Sequence, residues 1–483
     1  MSFEQQLSYY VCDDILEEIA SYLPLGDKKT LSLARHSARE LLQPSLFRTV
    51  CFDIPSERDI TAEYIAKFES EVAFLSTPRF ATAVRACQIA LSDSYNEPHT
   101  VISSDSKAIC MLNRTFELLA SFHWLEQLAL CGVDMSPQHW AVIGALDRLE
   151  QLLCQHCSFS GGIEFPIAPP SLRLFAMNPR HTPINPSIAT SFDWVPRIPE
   201  NVRSLELHNQ NPTMVQYFTN NAIIYSHLTS LHYTVTQDEF DAYTPFLLSL
   251  FKYFPSLQEL SFESSSVYLP KLEPVVMEAD SHLPRLAIYK GPADLLGKLV
   301  GDGSPIRHIL PRYPEYTSTQ IIVDAFSCEQ LAKIESLQLK ILRIPDLVPI
   351  VENFKGLQAL AISMDYYDVP SYSTCRDLLC SIEETVRSAN ASVRYLWLHI
   401  TTPQSKTYGG EQRLQRDAFF SFCLDMFVRL EYVSVSGDKN WRRNKATGAF
   451  EATSDEIFFD DWRRARQGHL NWNHQKSICF NTF

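Results

Sequence analysis

The sequence predicts an α/β chain: a small helical module at the N-terminus, then a solenoid of short parallel strands on a concave face, returned by helices or irregular segments. Three observations lead there. Apolar residues recur at positions one, four and six of a short frame, about a dozen times along the chain. Most starts of that frame lie 23 to 30 residues apart, and the last two gaps are 36 and 37. Amphipathic stretches fill several of the intervals. Positions four to six alternate, so they read as a strand with one apolar face. Stacked copies bury against each other what one copy cannot bury alone.

Between Val11 and Pro44 two amphipathic helices are legible. The first carries Ile15, Leu16, Ile19 and Leu23 at helical spacing, with Asp13, Asp14, Glu17 and Glu18 at the positive end of the helix dipole. It stops at Leu23-Pro24, because proline removes a donor and crowds the preceding turn. Gly26-Asp27 reads as a turn and cap for a second helix with Leu31, Leu33, Ala34, Leu41 and Leu42 apolar. Helices this short leave an apolar face that needs a partner surface.

Phe47 to Phe52 then alternates like a strand, and Asp59 to Leu75 carries Ile60, Tyr64, Phe68, Val72 and Leu75 on one helical face. Val84 to Ile89 repeats the strand shape, Leu91 to Ser106 is a polar loop, and Lys107 to Phe122 is an amphipathic helix. The frame follows as Leu125/Leu128/Leu130, Leu149/Leu152/Cys154, Leu172/Phe175/Met177, Val202/Leu205/Leu207, Leu228/Leu231/Tyr233, Leu257/Leu260/Phe262 and Leu283/Leu286/Ile288. A degenerate copy begins at Ile306, before Ile334/Leu337/Leu339, Leu357/Leu360/Ile362, Val393/Leu396/Leu398 and Leu430/Val433/Val435. Pro137 to Leu146 (behind Ser136), Asp238 to Phe254, Thr374 to Ala389 and Gln412 to Phe427 read as return helices. From Asp438 the rhythm breaks, as expected of a segment capping the open end. The expected organisation is therefore 1–46 helical module, 47–122 linking elements and first repeats, 123–437 solenoid, and 438–483 cap.

The run DDILEEIASYLPLGDKKTLSLARHSARELLQPSLF resembles the F-box, the helical module that binds the Skp adaptor of SCF-type ubiquitin ligases. Asp14, Ile15, Leu16, Ile19, Tyr22, Leu23, Pro24, Asp27, Leu31, Leu33 and Leu41 fall on the family pattern. Val11-Cys12 stands where the family has Leu-Pro, and Ala38 where it has a bulky residue. The array behind it resembles leucine-rich repeats of the irregular fungal kind found in F-box substrate receptors. Together these resemblances imply a substrate-recognition subunit, with Ile15, Leu16, Ile19, Leu23, Pro24, Leu31 and Leu33 against the Skp adaptor and through it a cullin. The repeats would hold a protein substrate. A leucine-rich-repeat interaction scaffold with no ligase role is the alternative, and an enzyme hidden in the loops a third reading.

Composition agrees with a globular protein that meets protein partners. Apolar residues make up 45% and aromatics 12%, while a net charge of −14 argues against nucleic acid, which needs clustered Lys and Arg. The N-terminus lacks a secretory pattern, and no run approaches the ~20 apolar residues of a membrane span. Twelve scattered cysteines read as reduced thiols of the cytoplasm or nucleus. Cys154 and Cys157 form a CxxC without a second ligand pair, so they read as small buried apolar residues rather than a zinc site. Gly291 to Leu299 departs from a phosphate loop in spacing and lacks the hydroxyl, and no hydrolase, zincin or dinucleotide motif occurs. No catalytic residue, cofactor or metal is expected.

Two basic clusters, Trp441 to Lys445 and Trp462 to Arg466, are flanked by carboxylates and read as a self-paired, solvated cap, with recognition of nucleic acid or an acidic motif as the other reading. Side chains between the frame positions point away from the apolar core. They are small or polar in the early copies: Gln127, Ala129, Gln151, Ser204, Glu206, Ser230, His232, Glu259 and Ser261. In the last two copies they become Tyr395, Trp397, His399 and Tyr432, an aromatic wall expected to bind substrate if exposed. If the tail folds over them, they are ordinary core.

Overall fold

The computed structural model describes residues 18, 22–34, 42, 46–91, 106–159, 169–179, 200–208, 223–235, 250–264, 283–301, 304–311, 319–340, 348–365, 392–401, 420, 423–425, 427–435 and 440–453. They fall into two compact units, one within Met1–Thr213 and one within Met214–Asn471.

The first unit is a ladder of parallel strands: β1 (Thr49–Ile54), β2 (Ala86–Leu91), β3 (Gln127–Cys131), β5 (Gln151–Phe159), β6 (Leu174–Pro179) and β7 (Ser204–His208). The two-residue β4 (Asp134–Met135) pairs with the far end of β5. Frame positions four and six supply the core: Val50, Phe52, Cys87, Ile89, Leu128, Leu130, Leu152, Cys154, Phe175, Met177, Leu205 and Leu207 are all buried. Register is fixed by a relay at position two. There one carbonyl accepts two N–H groups of the next copy: Arg48 O from Arg85 N at 2.8 Å and Ala86 N at 3.0 Å, Arg85 O from Glu126 N at 2.8 Å and Gln127 N at 3.0 Å. The carbonyls of Glu126, Glu150 and Arg173 do the same. Phe47 to Phe52 and Val84 to Ile89 are thus the first two copies of the frame.

Among the described residues the helices α1 (Leu25–Ala34), α2 (Ala62–Leu75), α3 (Pro78–Ala81), α4 (Lys107–Leu119) and α5 (Pro137–Gly144) accompany these strands. Helix α1 begins before the expected cap, at Leu25. Lys28 N bonds Pro24 O at 3.0 Å, so Gly26 and Asp27 lie in the first turn instead of capping it, and Asp27 meets the positive helix end there. The N-terminus of α4 is capped twice, by Ser106 Oγ on Ile109 N and by the Glu57 carboxylate on Lys107 N and Ala108 N, each at 3.1 Å.

Helix α5 is held by a capping box in which Ser136 Oγ accepts from His139 N and His139 Nδ1 accepts from Ser136 N, both at 3.3 Å. That role leaves the proton on Nε2, which donates to Asn113 Oδ1 on α4 at 2.9 Å, while the ring stacks on Phe116 at 4.2 Å. Burial lowers the His139 pKa, because the charged ring loses solvation. The unfolded chain therefore takes up this proton at a higher pH than the folded one. Stability contributed here is complete above the unfolded histidine range and is expected to fall as pH drops from about 6.5 towards the lowered folded value. Urea midpoints across that range should drop for the wild type and flatten for His139→Gln; equal slopes would remove the assignment.

The second unit repeats the scheme in β8 (Ser230–Val235), β9 (Glu259–Ser264), β10 (Ile288–Gly291), β11 (His308–Pro311), β12 (Ser336–Lys340), β13 (Ala359–Asp365), β14 (Tyr395–Thr401) and β15 (Tyr432–Val435), all parallel. The carbonyls of Thr229, Gln258, Ala287, Arg307, Glu335, Gln358 and Arg394 carry the relay. Short helices α6 (Leu296–Leu299), α7 (Thr319–Asp324), α8 (Cys328–Leu331) and α9 (Val348–Asn353) lie between strands. The copy expected at Ile306 is strand β11. The copy expected at Leu283 is displaced by three residues: β10 pairs Tyr289 with Leu260, so the frame runs Leu286, Tyr289, Gly291. Tyr289 is fully buried and its hydroxyl donates to Pro292 O at 2.6 Å, filling the space a position-six side chain would take. A Cβ on Gly291 would sit 2.9 Å from that hydroxyl and 3.0 Å from Phe262 Cβ, hence glycine.

After β15 the direction reverses: β16 (Asn440–Arg443) and β17 (Phe450–Thr453) are antiparallel, so the edge of β15 is paired. The expected helix Thr374 to Ala389 lies outside the described residues, as do the loop 92–105 and most of Asp238 to Phe254 and Gln412 to Phe427. Both units are leucine-rich-repeat solenoid: parallel strands, helices or turns between them, one core of frame residues.

Candidate functional site

On the N-terminal module, Leu31 is half-buried against Leu42, which is itself buried and also packs with Leu46. Leu33, two residues on and so on another side of α1, is 74% exposed. Tyr22 is 82% exposed, Pro24 is exposed and Leu23 half-buried. Ile15, Leu16 and Ile19 lie outside the described residues. Part of the module's apolar surface therefore faces solvent while Leu31 and Leu42 hold its inner side.

The aromatic residues predicted for the last repeats stand in register in the second unit. Ala359 pairs with Tyr395 and Tyr395 with Tyr432; Ala361 pairs with Trp397 and Trp397 with Ser434. Two files of side chains thus cross the strand face, small on β13 and aromatic on β14, and Tyr395 and Trp397 pack on the buried Ala359 and Ala361. Both rings are half-buried. Tyr432 is 4% exposed, the outcome expected if the C-terminal segment covers the aromatic wall: antiparallel β16 brings Arg442 opposite it. His399 is a β14 residue whose side chain lies outside what is described.

Position two adds charge at the foot of these files. Arg394 Nε and Nη2 both donate to Glu431 Oε1, at 3.0 and 2.8 Å, and the guanidinium lies 5.5 Å from the Tyr395 ring centroid. Burial is the main cause that raises the Tyr395 pKa, so the ring stays a neutral phenol at ordinary pH. The same Arg–Glu neighbour pairing recurs as Arg85–Glu126, Glu150–Arg173 and Arg307–Glu335. Such exposed pairs stabilise little; at β14 the pair fixes the guanidinium beside Tyr395. Sequence reasoning missed Ala359, Ala361, Arg394 and Glu431, and noticed Arg442 only as part of a basic cluster. The readable signal was an Arg before one strand and a Glu before the next.

Early strand-face residues behave differently from expectation. Glu206, Ser230, His232 and Ser261 are buried, not open. Ser261 is short and stands in register between His232 and Lys290, whose longer side chains flank it. Cys154 and Cys157 are buried; Cys157 Sγ donates to Leu130 O at 3.6 Å, and its contact with Cys154, together with burial, pushes the Cys154 thiol well up. Among the described residues no group of three metal-ligating side chains converges, and no helix is long and apolar enough to cross a membrane. In the basic run, Arg443 donates to the Gly448 and Val428 carbonyls, a structural use of that charge. The run Trp462 to Arg466 lies outside the described residues.

No protein-family model matches the chain, and no curated protein matches it. Among solved structures it is similar to an internalin from Listeria monocytogenes, 12% identical over 78% of this chain and 95% of that one, with a TM-score of 0.32. It is also similar to a leucine-rich-repeat protein of Leptospira interrogans, 11% identical over 75% and 80%, TM-score 0.26. A protein from Bacteroides fragilis is 11% identical over 72% and 74%, TM-score 0.27.

Proposed function

We propose that this chain is the substrate-recognition subunit of an SCF-type ubiquitin ligase in the cytoplasm or nucleus. Its N-terminal helices would dock on the Skp adaptor, and through it a cullin, while the repeats bind a protein substrate. The observation that carries the reading is the solvent-exposed Leu33 and Tyr22 on a module with F-box-like residue order. Apolar side chains left open beside a packed Leu31–Leu42 contact are what a second subunit would cover. The chain then does no bond chemistry of its own. It raises the local concentration of substrate lysines near a thioester carried by another subunit.

The test is co-expression of the full chain with the Skp adaptor. Wild type is expected to retain the adaptor through gel filtration, and Leu33→Glu to lose it by about tenfold or more in affinity, since a charge would be placed in a desolvated contact. Equal retention by Leu33→Glu, or no retention by the wild type, would leave only a repeat scaffold without a ligase role.

A further inference from the structure

Resting on the reading of the second unit's strand face as the substrate surface, we infer that it selects extended peptide segments carrying an Asp or Glu two or three residues from a large apolar side chain. The reason is the order of groups in the first file: Ala359, Tyr395, Tyr432, Arg442, in register across four neighbouring strands. Directly opposed residues on paired strands share a face. Arg442 therefore lies on the side that carries Tyr395 and Tyr432, and its charge is felt at the Tyr395 phenol. Arg442 is exposed, and among the described residues it has no ion pair. Glu451, opposite it on β17, instead accepts from Asn444 Nδ2 at 2.7 Å. Arg394, beside Tyr395, is already committed to Glu431, and Arg443 to the Gly448 and Val428 carbonyls. Among the described residues Arg442 is thus left available beside two half-buried rings that stand on a floor of alanines.

Spacing sets the motif. Tyr395 and Arg442 are two strands apart, roughly 10 Å, which is about three residues of extended chain. An apolar side chain laid against Tyr395 and Trp397 places a carboxylate two or three residues away within reach of the Arg442 fork, whose planar donors suit carboxylate.

A phage-displayed random peptide library panned on the full-length chain tests this. Enriched peptides are expected to pair Asp or Glu with an aromatic or large aliphatic residue at that spacing. Synthetic copies should bind Arg442→Glu about tenfold more weakly or worse, and Asp→Lys copies should prefer that variant. Arg442→Gln, with an unchanged melting curve, should fall between. Enrichment without acidic bias, or acidic bias indifferent to Arg442→Glu, overturns the inference while leaving the face as a binding surface. Peptides that bind Trp397→Ala and Tyr395→Ala as well as wild type overturn both, as does failure to enrich anything above an empty support.

Discussion

Gly356→Ala is expected to destabilise the second unit by about 3 kcal/mol or more, at the upper end of what overpacking costs. A Cβ at this residue would run into the Ala332 carbonyl oxygen, with the carbonyl carbon only 3.1 Å away and Ile334 O at 3.6 Å. The obstacle is backbone at the C-terminal end of α8, which cannot swing aside as a side-chain tip would. The usual gain of about 0.4–1 kcal/mol from replacing glycine acts on the unfolded chain and is too small to offset it. Gly356 also precedes Leu357, from which Ala359 and Ala361 are set two and four residues later. A shift of this turn should therefore loosen the alanine floor under Tyr395 and Trp397 as well. Urea unfolding followed by near-ultraviolet dichroism checks the first effect, and Trp397 fluorescence the second. A midpoint at or above that of the wild type would show that the two turns do not approach this closely.

Nothing in the periodicity marks Gly356. The same place in other copies holds Trp124, Arg148 and Asn201, so the frame predicts a tolerant surface residue. What makes glycine necessary is a contact with the preceding copy, which lies outside any window of sequence. The displaced copy at Leu283 has a related cause. Leu283, Leu286 and Ile288 satisfy the apolar spacing, yet the strand is set by Leu286, Tyr289 and Gly291, and a template that counts apolar letters rejects glycine at position six. Where each side chain fills only its own slot, as with Leu128 and Leu130 or Leu337 and Leu339, the frame read from sequence is the frame of the ladder. The aromatic files on β14 were readable because alternation decides which face a strand residue takes. The burial of Tyr432 was one of two outcomes left open, since it depends on β16 turning back antiparallel, and alternation carries no information about a neighbour's direction. The Arg–Glu pairing at position two was legible in part: the letters were visible, but only the parallel register places Arg394 against Glu431.

Tyr289→Ala is expected to cost about 3–5 kcal/mol, the range for removing a buried aromatic ring. The expected cost lies at the high end because of Gly291. In an ordinary copy, truncating position four leaves position six to lean into the gap; here position six has no side chain, so the cavity keeps its volume and its lining loses contact on one side. Tyr289→Phe separates the hydroxyl from the ring. It keeps the packing and strips the 2.6 Å hydrogen bond from Pro292 O, for a loss of about 1 kcal/mol. Interdependence of the two positions gives the sharper measurement. Gly291→Ala in the wild type forces a Cβ to within 2.9 Å of the Tyr289 hydroxyl. In the Tyr289→Ala background that clash with the ring is gone, so the same substitution should cost less. A double-mutant cycle by urea denaturation is expected to show a coupling of about 1 kcal/mol or more. Strict additivity would mean that Gly291 is there for its backbone alone, and the reading of one tyrosine occupying two positions of the repeat would fail with it.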